Sequence, residues 1–245
     1  VTSRCGTISA NAVWEANTIH RLTCNVTVSA GVTLTVRAGS IIKVNSGVGL
    51  TVNGVLLSEG TADAPVYITS IKDDSVGGDT NNDGTATSPG ARDWGGMSIS
   101  GVATLTHTLV RYGGNLQAVS GTYTTIFVSE NGRLTLDQSI LSYSYGRGIY
   151  LRNGSTNVTQ IAHLEVFSST IEHNGSAGIE TSSNTSNTWN NHVSIINSTI
   201  RGNTTTGVLL QAVEQVTVKE SRFIQNAGRG AIVSGKRVSI TDSAV

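Results

Sequence analysis

One stretch of this 245-residue chain carries residue types at a spacing that suits metal chemistry: Asp79-Thr-Asn81-Asn-Asp83-Gly84. Oxygen donors at the first, third and fifth positions, followed by glycine, form the first half of an EF-hand-type Ca²⁺ loop. The spacing lets three side chains converge while the glycine turns the backbone and Thr85 offers its carbonyl. At the twelfth position, where such loops place a bidentate glutamate, stands Gly90. A complete shell then needs Asp73, Asp74 or Asp93. The expected set is Asp73, Asp79, Asn81, Asp83 and Thr85 around a structural Ca²⁺.

Cys5 and Cys24 are the only cysteines, and a disulfide between them suits a secreted chain. Seven Asn-x-Ser/Thr sequons start at Asn25, Asn153, Asn157, Asn174, Asn184, Asn197 and Asn203, and their number is compatible with a secreted glycoprotein. Catalysis has less support. The second half offers Asp137, Glu165, Glu172, Glu180, Glu214, Glu220 and Asp242, with no Asp-Asp pair. Glu172 and Arg201 read as a surface ion pair. The histidines His20, His107, His163, His173 and His192 form no His-x-x-x-His pair and read as surface polar residues. Tyr143, Tyr145, Tyr150, Phe167 and Trp189 are candidates for aromatics outside the core, available to a sugar or a partner.

Composition narrows the field. Sixteen basic and sixteen acidic residues cancel without clustering, so nucleic-acid binding has little support. No apolar run approaches the length of a membrane span. The chain starts at Val1, which fits either removal of a signal peptide or a fragment. Glycine is abundant, and Ser, Thr, Asn, Val and Ile favour strands and turns over helix.

The element that must position these residues is a repeat. Five segments begin at Leu134, Leu164, Val193, Val216 and Val238. Two residues on stand Leu136, Val166, Ile195, Val218 and Ile240; five on, Ser139, Ser169, Ser198, Ser221 and Ser243. Seven on come Leu141, Ile171, Ile200, Phe223 and Val245; fourteen on, Gly148, Gly178, Gly207 and Gly230, each followed by an apolar residue. The starts are 30, 29, 23 and 22 residues apart, the longer repeats carrying polar insertions near 153–160 and 182–191. Self-similarity at this spacing marks a solenoid. The apolar offsets face inward and stack from coil to coil, each side chain worth roughly 1.5–3 kcal/mol once covered. Serine suits a tight corner. Asn174, Asn203 and Asn226 share offset ten, where asparagine can take positive φ and form a ladder.

Residues 1–30 read as an N-terminal cap using Trp14, Ile19 and Leu22, and 31–245 as the solenoid. Short alternating strands fill 31–70, a polar excursion occupies 71–93, and strands resume at Met97 and Ile99. The segments Gly31-Val-Thr-Leu-Thr-Val-Arg-Ala-Gly39, Leu50-Thr-Val-Asn-Gly-Val-Leu-Leu-Ser-Glu-Gly60 and Pro65-Val-Tyr-Ile-Thr-Ser70, with the stretch from Asp73 to Gly96, resemble the right-handed parallel β-helix proteins of microbial cell surfaces. That resemblance implies an all-β solenoid in an extracellular setting. It leaves activity open, since the family mixes adhesins, surface-layer components and enzymes. The expected role is a non-catalytic structural or adhesive surface protein. The alternative is a carbohydrate-binding or polysaccharide-cleaving β-helix. The last coil, reaching Val245 with no cap after it, suggests end-to-end self-association into filaments.

Overall fold

The computed structural model describes residues 1–119, 122–152, 161–181 and 191–244. Its regular elements among these residues are all strands, coiled into a parallel β-solenoid. Three sheets run the length of the coil. The first takes the opening half of Thr2–Ile8 and of Ile19–Val28, then Ile41–Val44, Val66–Ser70, Thr108–Arg111, Ile140–Ser142, Thr170–Glu172, Thr199–Arg201 and Arg222–Ile224. The second takes the closing half of the first two strands, then Gly49–Val52, Gly96–Ile99, Thr122–Val128, Arg147–Leu151, Ile179–Thr181 and the openings of Val208–Lys219 and Ala231–Thr241. The third begins at Ala12–Trp14 and continues through Thr33–Arg37, Val55–Glu59, Val102–Thr106, Arg133–Asp137, His163–Phe167 and Asn191–Ile196. It ends in the closing halves of Val208–Lys219 and Ala231–Thr241. About eight coil-to-coil steps result. At ~4.8 Å per step that is roughly 40 Å. The departure is a short antiparallel pairing of Leu116–Val119 with Thr122–Val128.

Alternation along each strand drives the interior. One column of the first sheet reads Ile42, Ile68, Val110, Leu141, Ile171, Ile200 and Phe223, every member buried. In the third sheet Ala103, Leu134, Leu164, Val193 and Val216 stack likewise. Each aliphatic side chain stacks on its equivalents above and below within one common core, so the apolar offsets of the repeat and the coil register are the same fact.

The aligned serines make the corner between the third and first sheets. The amide of Ser139 donates to Ser169 Oγ at 3.0 Å, Ser169 to Ser198 at 3.1 Å, Ser198 to Ser221 at 3.2 Å and Ser221 to Ser243 at 3.2 Å. Each hydroxyl in turn donates to the carbonyl two residues before it. At the next corner Asn174 Nδ2 donates to Asn203 Oδ1 and Asn203 Nδ2 to Asn226 Oδ1, both at 2.9 Å. Positive φ falls one residue earlier than expected. It is taken by His173, Gly202 and Gln225, not by the asparagines, and at the serine corner by Gln138, Ser168, Asn197, Glu220 and Asp242. The left-handed residue turns the chain, and its successor then points inward to bond along the stack. The glycines at offset fourteen serve close approach instead. A Cβ on Gly178 would sit 2.8 Å from the carbonyl oxygen of Gly207 and 3.0 Å from Asn203 Nδ2.

Residues 1–30 wind as the first turn of the coil and most of the second rather than as a separate layer. Trp14 and Leu22 are buried in the common core, and Ile19 is half-buried. Cys5 and Cys24 form a disulfide between adjacent strands, Cα–Cα 4.9 Å. No helix among the described residues is long and apolar enough to cross a membrane.

Two sequons are incompatible with glycosylation in this fold. Asn174 and Asn203 are buried, 0% and 1% exposed, and the nitrogen a glycan would occupy is the donor of the ladder. Asn25 and Asn197 are exposed. Asn153, Asn157 and Asn184 lie outside the described residues, as does Trp189.

Candidate metal centre

The excursion 71–93 folds back over the outward face of the first sheet. Gly77 packs so closely that a Cβ there would lie 3.0 Å from Ile19 Cδ1 and 3.2 Å from Ile41 Cδ1. Outward side chains of the coil hold it down. Lys43 donates to the carbonyls of Asp73 and Gly78. Arg111 Nε reaches Asp73 Oδ2 at 2.8 Å, and its Nη2 reaches Ser75 Oγ at 2.7 Å. Thr69 and Ser75 also donate to the Asp73 carboxylate. At the exit Lys72 Nζ and Ser70 Oγ each bond Asp93 at 2.8 Å. Burial pushes the Asp73 carboxyl up, but the Ser75 and Thr69 hydroxyls and Arg111 outweigh it, so the carboxyl sits below its ordinary range. Burial pulls Lys43 below the ordinary lysine value, opposed by the nearby aspartates.

These anchors correct the expected ligand set. Asp73 has both carboxylate oxygens committed to Thr69, Arg111 and Ser75, so it belongs to the clamp and not to the ion loop. Its neighbour Asp74 stands in its place: Asp74, Asp79 and Asp83 each bring a carboxylate oxygen within 4.8 Å of the others. Asp79 closes the loop by accepting the amides of Asp83 at 3.2 Å and Gly84 at 2.8 Å. The Gly84 amide leads the causes that hold its carboxyl below the ordinary range. Asn81 Nδ2 donates to Asp83 Oδ2 at 2.7 Å, a bond that does not use its carbonyl oxygen. Thr85 is exposed at the rim of the adjoining pocket.

The decisive detail is what remains unpaired. Asp74 Oδ1, Asn81 Oδ1 and Asp83 Oδ1 are shielded from solvent and have no hydrogen-bond donor. A buried acceptor left so costs about 1–3 kcal/mol. Oxygen donors of net negative charge suit a hard dication such as Ca²⁺. Asp74, Asp79, Asn81 and Asp83 are the residues that would hold it.

Beside the loop runs an aromatic ladder. Tyr112 stacks on Tyr143 at 5.4 Å and Tyr143 on His173 at 5.6 Å. Gly202 follows in the same corner, where a Cβ would come within 2.8 Å of the His173 ring. Arg92 lies over both Tyr123 and Tyr145, 4.9 and 4.7 Å from their centroids. The rings spend their faces on one another and on arginine, so Tyr143 and Tyr145, though exposed, present edges rather than a platform. Tyr150 is not an outside aromatic in the expected sense, being 5% exposed and stacked on Phe127.

The sequence of residues 115–245 matches the family described as a right handed beta helix region. The chain belongs to the right-handed β-helix family. No curated protein and no solved structure matches it. The family holds both surface proteins and polysaccharide-degrading enzymes.

On the rest of this β-helix, outward acids are largely neutralised in place. Glu59 pairs with Arg37, Glu130 with Arg152, Glu172 with Arg201, Glu180 with Arg147, and Glu214 with Lys236 and Arg237. The Glu172–Arg201 contact is 2.7 Å, the ion pair expected from their shared offset. One grouping escaped the sequence reading. His163 and His192 are direct partners in adjacent coils, their rings 4.8 Å apart. A spacing of one coil is adjacency in a solenoid, and both histidines stand one position before a repeat start, which is the signal that would have found them.

Proposed function

We propose that this β-helix is an extracellular, non-catalytic surface scaffold of structural or adhesive type, with its excursion locked by a structural Ca²⁺. The observation that carries the Ca²⁺ reading is the set of three shielded, unpartnered acceptors in the Asp74–Asp83 loop. The ion supplies the positive charge those oxygens need, and the loop in turn closes over Lys43 and the outward face of the first sheet. The non-catalytic reading is supported by the paired acids. A glycosidase needs two free carboxyls flanking one bond, whereas Asp73, Asp93, Glu172, Glu180 and Glu214 are each held by a cation. The disulfide favours an oxidising compartment. Incubation with acidic polysaccharides tests the role: release of reducing ends or unsaturated products above a heat-killed control rules out the scaffold reading.

A carbohydrate-binding variant of this reading has one observation in its favour. A pocket of about 240 Å³ lies between the excursion and Tyr112, lined by Lys72, Asp74, Ser75, Thr85 and Thr87 among others. Its hydroxyls and charges suit a polar sugar held beside the ion loop. Glycan binding that disappears with chelator, while the coil stays folded, supports it. Self-association through the coil ends is a further part of the proposal. Val238 and Ile240 are 45% and 48% exposed on the final coil described, a surface that more chain or a second copy would cover. Sedimentation at rising concentration decides between those two.

A further inference from the structure

We propose that His163 and His192 form a bidentate site for a borderline transition-metal dication, Cu²⁺ most tightly and Zn²⁺ less so, on the outward face of the third sheet. The two residues are register partners in His163–Phe167 and Asn191–Ile196, so their Cβ atoms leave the same face one strand spacing apart. Their rings meet edge to face, centroids 4.8 Å apart and interplanar 72°, close enough for side-chain rotation to bring one nitrogen of each onto a common ion. Both rings are half-buried on the floor of a groove of about 220 Å³ whose walls include Glu165, Ser194, Gln215 and Thr217. Among the described residues no side-chain hydrogen bond is spent on either imidazole.

A metal needs neutral imidazole. Burial first, then Arg133, pushes His163 down to about 4, and burial also lowers His192. Both rings are therefore unprotonated across neutral pH. The charges facing the pair are mixed. Arg133 is exposed on the preceding coil. Arg237 and Lys236 are both engaged by Glu214 at 3.0 Å. Glu165, two residues along the same face from His163, accepts from Thr135 at 3.2 Å. The only set of three or more His, Cys, Asp or Glu ligands among the described residues is the aspartate loop, so no third ligand of these types joins the histidines as they stand. The site is then open, with water or an incoming donor in the remaining positions. Imidazole pairs with that vacancy select Cu²⁺ over Zn²⁺ and reject Ca²⁺. This site is chemically and spatially separate from the aspartate loop, and it does not rest on the Ca²⁺ reading.

The test is Cu²⁺ titration of the tag-free chain in excess Ca²⁺, followed by calorimetry and by electron paramagnetic resonance. One Cu²⁺ per chain with a two-nitrogen hyperfine pattern is expected. His163→Gln and His192→Gln should each weaken binding at least about tenfold, since losing even an outer-shell partner costs that much, and should leave a one-nitrogen signal. His173→Gln, at an exposed histidine elsewhere, should change neither readout. Melting of each variant without Cu²⁺ confirms that it is folded. No saturable binding, or binding and hyperfine pattern unchanged in both His163→Gln and His192→Gln, overturns the proposal.

Discussion

The coils from Leu134 onward and the excursion at 71–93 treat buried polar atoms in opposite ways. In the coils the aligned serines and asparagines bond to their equivalents in the next turn, so the Ser139–Ser243 and Asn174–Asn226 stacks are satisfied from within. In the excursion Asp74, Asn81 and Asp83 leave acceptors unanswered. A repeated structure can supply its own partners because each turn brings the same group to the same place. A single-copy loop has no such neighbour, and the proposed Ca²⁺ would be its partner.

The comparison can be broken first at the ladder. Asn203→Ala removes the acceptor for both the amide and the Nδ2 of Asn174. Each buried donor stranded in this way costs about 1–3 kcal/mol. Chemical denaturation should show this loss equally with Ca²⁺ and with chelator; a loss that Ca²⁺ rescues would mean the two regions are not independent. A second place sharpens the contrast. His20 heads the aliphatic column that continues with Ile42, and stacks on Trp14 at 4.8 Å with Nε2 unpartnered. Burial, then Arg4, lowers it from 6.5 to about 4. The folded state thus takes up its proton later than the unfolded chain. Stability is unaffected above pH ~6.5 and falls as pH drops towards ~4, by up to about 3 kcal/mol. His20→Phe should flatten that part of the pH–stability curve.

The excursion itself should respond next. Ca²⁺ at a hundred times its dissociation constant should stabilise the chain by about 2.7 kcal/mol. Asp83→Asn or Asp74→Asn should abolish the increment while leaving the chelated protein unchanged, as thermal melting would record. An unfolding temperature indifferent to Ca²⁺ removes the ion from the picture. The smallest effect belongs to the exposed rim: Glu172→Gln breaks the pair with Arg201 and should cost no more than ~1 kcal/mol, less at high salt.

Much of this was readable in the sequence because a solenoid turns one-dimensional spacing into contact. The apolar offsets became the interior columns, and the shared serines and asparagines became ladders. What escaped was information perpendicular to the repeat. Asp73 and Asp74 are indistinguishable as letters; only the position of Arg111, one coil on, assigns the first to the clamp and frees the second. The sequons at Asn174 and Asn203 looked like any others until the ladder claimed their amides. The left-handed residue was placed one position late because asparagine is the usual occupant of positive φ, whereas here the inward hydrogen bond set its role. His163 and His192 were judged by linear motif, when the meaningful distance was one turn.

The repeats differ in length by several residues, yet the strands they connect stay in step. The surplus lies between Arg147–Leu151 and His163–Phe167, and between Ile179–Thr181 and Asn191–Ile196, the same junction of the second and third sheets in successive turns. In the next turn the chain crosses that junction within a single strand, Val208–Lys219. Pitch is therefore decoupled from loop content at this one seam. Foreign peptides or binding loops grafted there should be displayed in a row at the coil's own interval, with no need to redesign what lies inside.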